Sequence, residues 1–448
     1  MSFPARRPKM KPLPAPPVPQ RDVSLNRTAF AVATQALADK SSTVLVTGRA
    51  GTGKTTFIHD VLADSDIKQV VVAPTGVAAL QARGQTVHSF FQLAPRLQDF
   101  AEIQPVKGKK RALIKNLQRL IIDEISMVRA DLLDKIDYAL KLNRDNGAPF
   151  GGVQVLMVGD FFQLPPVVPA HEAEVLSAAG YESFHALGAK CLRRARINAV
   201  ELQQVFRQSD PIFIDLLGNI RSGHEVPETI ARINSQCVGA HRSGRTPLLM
   251  TGTNARADAY NQRGLAALPS VARTYTGKTE GDFNLTGDNL PAPEALELKV
   301  GARVMMVKND ADKRWVNGTL ATVTRCGASD ISVKLDDSDR THEVEAVRWE
   351  RFSSAYNEST AQIENTVVGT YTQLPVKLAW ASTVHKAQGL SLDDVRVDLQ
   401  GGAFATGQAY VALSRATSIA GLSLAQPLQV HDISVDRTVA ALLSSLQA

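Results

Sequence analysis

The sequence reads as an α/β protein of two or more domains with parallel sheets, carrying a small all-β module set into the second α/β region. Three observations lead there. From Asn26 onward, strand-like apolar runs alternate with stretches of helical periodicity, as a parallel sheet covered on both faces requires. At 448 residues the chain exceeds the size at which one core keeps growing. Between about residues 273 and 372 the pattern changes to short alternating segments.

The first region offers strands at Thr43–Thr47, Gln69–Ala73, Arg119–Ile122 and Val153–Val158. A polar, Lys-rich break at Gln98–Lys115 interrupts them and reads as a small insertion, about 89–118. After Pro165-Pro166 a less patterned connector leads to a second α/β region from about Glu201, with strands expected at Leu248–Thr251 and Val376–Ser382. Inside it, Ala302–Val307, Arg314–Arg325, Ile331–Leu335 and Thr341–Arg348 are short and alternating. Asn317-Gly318, between Trp315-Val316 and Thr319-Leu320, signals a two-residue hairpin. The first twenty residues are Pro-rich and basic, which argues against a stable helix and predicts an extended leader, solvated or else touching DNA phosphates. The expected boundaries are 1–20 for the leader, 21–195 for the first domain, 196–272 with 373–448 for the second, and 273–372 for the module.

Composition narrows the function classes. With 44% hydrophobic and 21% charged residues and no apolar run long enough to span a bilayer, no membrane partner is expected. A net charge of +6 permits a polyanionic partner without demanding one. Cys191, Cys237 and Cys326 are too scattered for a disulfide framework or a metal quartet, so a reducing compartment, a bacterial-type cytoplasm, is expected.

The chemistry begins at Gly48-Arg-Ala50-Gly51-Thr52-Gly53-Lys54-Thr55-Thr56. Glycines let successive backbone N–H groups close around phosphate oxygens, Lys54 reaches the β/γ-phosphates, and the Thr55 hydroxyl ligates Mg²⁺. The loop lies between a β-branched run and an apolar helical stretch, where a helix N-terminus favours anions. A Gly-rich turn is the bland alternative, and the correct flanks count against it. Leu120-Ile121-Ile122 then ends in Asp123 and Glu124; Asp123 can hold Mg²⁺ through water, and Glu124 can polarise an attacking water. Gln163, in Gly159-Asp-Phe-Phe-Gln163-Leu-Pro-Pro166, can hydrogen-bond a γ-phosphate or that water. Arg207 and Arg415, far along the chain, can stabilise the charge on a transferring phosphoryl group.

These segments, with Thr383-Val-His-Lys-Ala-Gln-Gly389 and Tyr410-Val-Ala-Leu-Ser-Arg415, resemble the motif series of superfamily 1 helicases. The branch resembled is the petite-integration-frequency (PIF-type) DNA helicases, relatives of RecD. Asp134-Lys-Ile-Asp-Tyr-Ala-Leu, followed by Pro149-Phe-Gly-Gly-Val-Gln154, is similar to that family's signature segment. The likeness runs from about Asn26 to Leu422. It implies two RecA-like P-loop domains with ATP and Mg²⁺ between them, Gly389 among the nucleotide contacts, and an SH3-like β insertion. It also implies movement 5′ to 3′ on single-stranded DNA, with the insertion of the first domain helping to separate strands. One departure stands out: many members place a glutamine shortly before the loop, where this chain has Asn26-Arg-Thr-Ala29-Phe30 and Gln35 only later.

A DNA-gripping set follows from the same likeness and from the chemistry of hydroxyls, loop N–H groups, imidazole and ammonium. It comprises Thr75, Gly76, His88, Thr253, Asn254, Thr383, His385 and Lys386, with Phe91 as a candidate stacking ring. Against it, Thr and Asn at strand ends often cap helices, and Phe90 and Phe91 suit a core. Expected partners are single-stranded DNA and tailed or forked duplexes, with the protein a monomer in solution. Two other functions stay open: a DNA-stimulated ATPase that remodels nucleoprotein without unwinding, and a P-loop kinase, which would need neither distant arginine.

Overall fold

The computed structural model describes residues 27–64, 66–239, 246–336, 338–360, 362–400, 403 and 405–447; the leader and Asn26 lie outside the described residues. Six strands build the first sheet: β1 (Thr43–Gly48), β2 (Gln69–Ala73), β3 (Gln85–Thr86), β4 (Arg119–Ile122), β5 (Gln154–Gly159) and β6 (Ile197–Leu202). Their order is β3-β2-β4-β5-β1-β6, and every pairing is parallel. β1, β4 and β5 are buried along their whole length, which is why they read as unbroken apolar runs. Register then does the positioning. Thr47 pairs with Gly159, Gly48 with Leu202, and Ile122 with Met157. The phosphate loop, Asp123, Asp160 and the chain after Leu202 therefore all leave the sheet along one edge.

The second α/β domain has a four-stranded parallel sheet in the order Ala381–Thr383, Leu248–Thr251, Val395–Asp398, Leu422–Leu424. The helix Pro211–Ser222 covers it, burying Phe213, Leu216, Leu217 and Ile220 in a core with Leu248 and Met250. Between the two halves of this domain stands a five-stranded antiparallel sheet, Thr341–Glu345, Asp330–Leu335, Leu320–Cys326, Arg303–Met306 and Val376–Leu378. A long hairpin, Val347–Asn357 with Gln362–Gln373, projects from it onto the first domain. There Ser354 Oγ accepts from Gln85 Nε2 at 3.1 Å, and Arg351 Nη2 donates to Ser89 Oγ at 2.9 Å.

Four expectations are corrected. The first domain does not end at 195: β6 is its edge strand and extends it to Leu202. Val376–Ser382 is two strands, the first in the β module and the second in the parallel sheet. Trp380 marks the switch by packing against helix Asn254–Ala266, where a Cβ on Gly264 would lie 2.4 Å from the indole. Asn317-Gly318 does form a turn, with Thr319 N–H donating to Val316 O at 3.0 Å, yet the flanking strands stop at Met306 and start at Leu320. Trp315 is drawn into the module core and out of the ladder, so the connection is longer than two residues. Last, the helix Arg437–Gln447 belongs by packing to the first domain, where Val439 and Leu443 join the main core. His185 Nε2 lies 3.1 Å from Asp436 at its start.

The signature segment proves to be an organiser of the first domain. On helix Ala130–Arg144, Asp134 accepts from Tyr181 Oη (2.7 Å), Lys190 N (3.1 Å) and Cys191 N (2.8 Å). Asp137 accepts from Phe150 N at 2.6 Å, pinning the Pro149–Gly152 turn. Both carboxylates are buried. Asp134→Ala strands three donors at a cost of about 1–3 kcal/mol each. It is expected to lower the urea midpoint of the first domain clearly, and Asp134→Asn, which keeps acceptor oxygen, to lower it less.

Candidate active site

Gly51 (φ 80°) and Gly53 (φ 87°) put two left-handed turns into the loop between β1 and the helix Lys54–Leu62. Space is as tight as the backbone is unusual: a Cβ on Gly51 would stand 2.5 Å from Arg207 Cβ. Phe206 N–H donates to Gly51 O at 2.8 Å, so the segment after β6 lies on the loop. Thr52 is buried with Oγ1 donating to Arg49 O at 2.9 Å, whereas Thr55 is exposed and Thr56 half-buried at the helix start. Gly53 caps that helix with no side-chain bond, leaving the helix start a backbone cradle for anions. Lys54 Nζ folds back onto Gly48 O (2.8 Å) and Arg49 O (3.0 Å). Desolvation pulls its ammonium below the usual lysine value, while Asp160 and Glu124 pull the other way. From the second domain, Tyr410 Oη accepts from Ala50 N at 3.0 Å.

The acids follow β4 in the same sheet. Asp123 Oδ1 accepts from Glu124 N at 2.9 Å, and Glu124 takes the left-handed conformation (φ 49°, ψ 45°) that a non-glycine residue adopts only under constraint. Its Oε2 accepts from Gln388 Nε2 across the domain seam at 3.1 Å. Burial, then repulsion from Glu124, pushes Asp123 up to about 7, and burial raises Glu124 as well. Two carboxylates destabilised in this way, with an exposed hydroxyl at Thr55, fit a hard divalent cation. Among the described residues no group of three or more His, Cys, Asp or Glu that could hold a metal ion is found.

Gln163 is buried and donates from Nε2 to Asp160 Oδ2 at 3.3 Å. Arg207 donates from Nε to Ser391 Oγ (2.8 Å), from Nη2 to Gly389 O (3.0 Å) and from Nη1 to Ser414 O (3.4 Å). Gly389 (φ 84°) thus meets the site through its carbonyl. Arg415 is 1% exposed and donates to Val411 O (2.9 Å), Ser414 Oγ (2.8 Å) and Leu390 O (3.4 Å). Neither arginine pairs with a carboxylate among the described residues. Desolvation brings Arg207 down to about 10; desolvation and then the charge of Arg207 bring Arg415 down to about 9. Lys54 feels Arg207, and Arg415 feels Glu124 and Asp160, so the residues singled out from distant segments converge on one cleft. Sequence reasoning missed Asp160, Gln388 and Tyr410, though each stood in a quoted segment. It missed Arg221 as well, which sits at the end of an amphipathic helix and carries no motif of its own.

The DNA-gripping set is divided. Thr253, Asn254 and Lys386 are exposed at the ends of second-domain strands, beside the half-buried His385. Thr75 Oγ1 caps the helix Gly76–Gln81 by accepting from Ala78 N (3.2 Å), and buried Thr383 Oγ1 accepts from Lys386 N (3.3 Å). Each hydroxyl keeps its own proton to donate. His88 is half-buried, and desolvation holds its imidazole below the usual value, hence neutral near pH 7. Two members are corrected. Phe91 is 2% exposed, packed edge-on against Phe90 in the main core, with no face for a base. Gly76 is covered by the β module: a Cβ there would lie 2.6 Å from Leu285 Cδ2. Near the loop, Phe30 packs on Phe57 (5.3 Å between ring centres) and would meet a Cβ on Gly53 at 3.4 Å.

Residues 25–229 match the family model described as PIF1-like helicase, and residues 285–326 match the DNA helicase Pif1 2B domain. The "ATP-dependent DNA helicase Pif1" of Bdellovibrio bacteriovorus is 32% identical over 395 residues, 85% of this chain and 83% of that protein. The chain belongs to the PIF1-like helicase family. The mouse "ATP-dependent DNA helicase PIF1" is 34% identical over 406 residues, covering 86% of this chain; the chain spans 57% of that longer relative. The unliganded Pif1 from Bacteroides sp. superposes with a TM-score of 0.84 at 33% identity, over 94% of this chain and 97% of that one. The Bacteroides protein in complex with ADP-AlF4 gives the same TM-score over 94% and 96% of the two chains, and its single-stranded DNA complex gives 0.66 over 94% and 97%, both at 33% identity.

Gly51→Ala forces a side chain into a left-handed position against Arg207. With about 1–2 kcal/mol for the backbone alone, affinity for a fluorescent adenine nucleotide is expected to fall about tenfold or more in an equilibrium titration.

Proposed function

We propose that this chain is an ATP-driven DNA helicase that runs 5′ to 3′ along single-stranded DNA and separates duplex ahead of it. The observation that carries the reading is a cleft with Lys54 and the acid pair on one wall, faced by the guanidinium groups of Arg207 and Arg415, which bond to second-domain oxygens and have no carboxylate partner among the described residues. A multiply charged anion supplies the missing counter-charge. The relatives named ATP-dependent DNA helicases, and the Bacteroides complexes with ADP-AlF4 and with single-stranded DNA, support the same choice of nucleotide and polymer. The polarity rests on family likeness.

In this reading the amides of Gly51–Thr55 and the Lys54 ammonium hold the triphosphate. Thr55 and, through water, Asp123 would hold Mg²⁺, which when bound would supply charge neutralisation at the phosphate oxygens. Glu124, its carboxylate steadied by Gln388, orients the attacking water and takes its proton. Arg207 and Arg415 spread the developing charge, a contribution worth about 10³–10⁵ in rate for arginines in such roles. Because Arg415 sits in the second domain's core and Arg207 bonds to that domain's loops, full neutralisation requires the two domains to meet. Hydrolysis removes the shared anion and loosens that contact, which converts chemistry into relative motion over the strand held by Thr75, His88, Asn254, Thr383, His385 and Lys386. A P-loop kinase has no use for the second parallel sheet and its arginines.

The deciding experiment measures ATP turnover with and without single-stranded DNA, together with strand separation on 5′-tailed and 3′-tailed duplexes. DNA-stimulated turnover with unwinding of the 5′-tailed substrate is expected; turnover indifferent to DNA sinks the reading. Lys54→Ala is expected to abolish turnover with DNA binding largely intact, and Arg415→Ala to cut turnover by about 10³ or more while nucleotide still binds. Recognition of the strand is electrostatic, so log affinity against log salt should be linear, falling by about 0.7 per phosphate neutralised on single strands. Lys386→Ala should flatten that slope by about one such increment, measured by anisotropy across a salt series.

A further inference from the structure

The seam between the two α/β domains holds a buried ion pair that plays no part in the mechanism above. Arg221 lies on the helix Pro211–Ser222, whose apolar face is packed in the second domain. Its Nε and Nη2 reach Asp160 Oδ1, in the first domain, at 3.2 and 3.0 Å. Nη1 reaches Glu201 Oε1 on β6 at 3.3 Å, and the guanidinium carbon lies 4.4 Å from the ring centre of Phe162. Arg221 is 8% and Asp160 1% exposed. One second-domain cation is thus held by three first-domain groups. The same helix leans on the phosphate loop, since a Cβ on Gly218 would stand 3.0 Å from Arg49 Nη1.

Asp160 has a second oxygen, and that oxygen accepts from Gln163 Nε2. A carboxylate accepts only, so Gln163 must present its amide nitrogen to Asp160 and turn its carbonyl oxygen away. With Oδ1 clamped by two guanidinium N–H groups, the plane of the carboxylate is set, and the sense of the Gln163 amide is set with it. Asp160 also opposes the desolvation of Lys54. Drawing Arg221 out of the seam would leave Asp160 buried with Lys54 as the neighbouring cation, and breaking a buried pair in this way is far costlier than breaking a surface one.

We propose that Arg221 is a positioning residue that links the second domain to Gln163 through Asp160. Cleft opening is then felt by Gln163 as a loss of orientation. The proposal rests on the helicase reading above and names how that reading's two domains exchange information. Arg221 touches no reacting atom; it acts through Asp160.

The test uses the full chain and the variants Arg221→Met, Arg221→Lys, Asp160→Asn and the Met/Asn double variant. For each, kcat and KM for ATP on single-stranded DNA, base pairs separated per ATP hydrolysed, and the melting temperature are measured. Arg221→Met is expected to lower kcat at least tenfold with KM moved less than threefold, and to lower base pairs separated per ATP. Arg221→Lys should recover part of both, and the double variant should be no worse than the more damaged single one. A lowered melting temperature with unchanged kcat and unchanged yield per ATP would make Arg221 merely structural and overturn the proposal, as would strictly additive losses in the double variant. Should Arg221→Met fail to fold, Arg221→Lys against Asp160→Asn carries the same comparison. An unaltered chain that ignores DNA removes the helicase reading itself; normal unaltered behaviour with additive variants removes this inference alone.

Discussion

Positive charge held out of water, without a carboxylate to answer it, is the constraint on which the rest of this molecule depends. Arg415 is fully buried, and its N–H groups are spent on carbonyl oxygens and a serine hydroxyl. Arg207 is satisfied in the same way, by Gly389, Ser391 and Ser414. Carbonyls answer the geometry of a guanidinium and leave its charge uncancelled, which is why desolvation pulls both groups downward. Across the seam Lys54 is treated likewise by the carbonyls of its own loop. Such an arrangement costs stability and is repaid when a polyanion enters, so the cleft is built around a ligand rather than around itself.

Sheet register makes that concentration of charge affordable in conformational terms. Parallel strands whose carboxyl ends are aligned deliver the loop after β1, the acids after β4 and Asp160 after β5 to one edge without any long excursion. The second domain delivers its arginines from a helix end and a connecting segment, and Tyr410 and Gln388 reach back to Ala50 and Glu124. Each of those two bonds ties a group of the phosphate loop or the acid pair to the other domain. Orientation and domain contact are therefore one variable.

What could be read in the sequence was what is encoded locally. The phosphate loop is eight consecutive residues with a self-contained mechanism, and Gln69–Ala73, Arg119–Ile122 and Leu248–Thr251 announce themselves because buried parallel strands are short, unbroken and apolar. Long-range packing left no such mark. β6 has half-buried positions at an edge and looks like connector; the helix Arg437–Gln447 follows second-domain sequence but packs across the boundary. Val376–Ser382 has continuous strand character, and only Trp380, seeking the face of another helix, divides it between two sheets. Arg221 shows the same limit in the site. Its role depends on Asp160 and Glu201, respectively 61 and 20 residues away, and nothing in the spacing of the three brings them together.

The corrected DNA residues bear on how the strand path is assembled. Phe91 cannot offer a ring without unpacking Phe90 and the core around it, so a stacking platform there is excluded by the cost of the cavity it would leave. Gly76 is different, because what covers it is a removable layer. Leu285 sits on it from the β module, and the module's hairpin sends Arg351 to Ser89, next to His88. A polymer reaching Gly76 must first displace Leu285, and one reaching Ser89 must outcompete a guanidinium hydrogen bond. Phosphate can do the second directly, since it accepts from Arg351 more strongly than a serine hydroxyl does. The β module thus lies over the first domain at two points, through Leu285 on Gly76 and through Arg351 on Ser89.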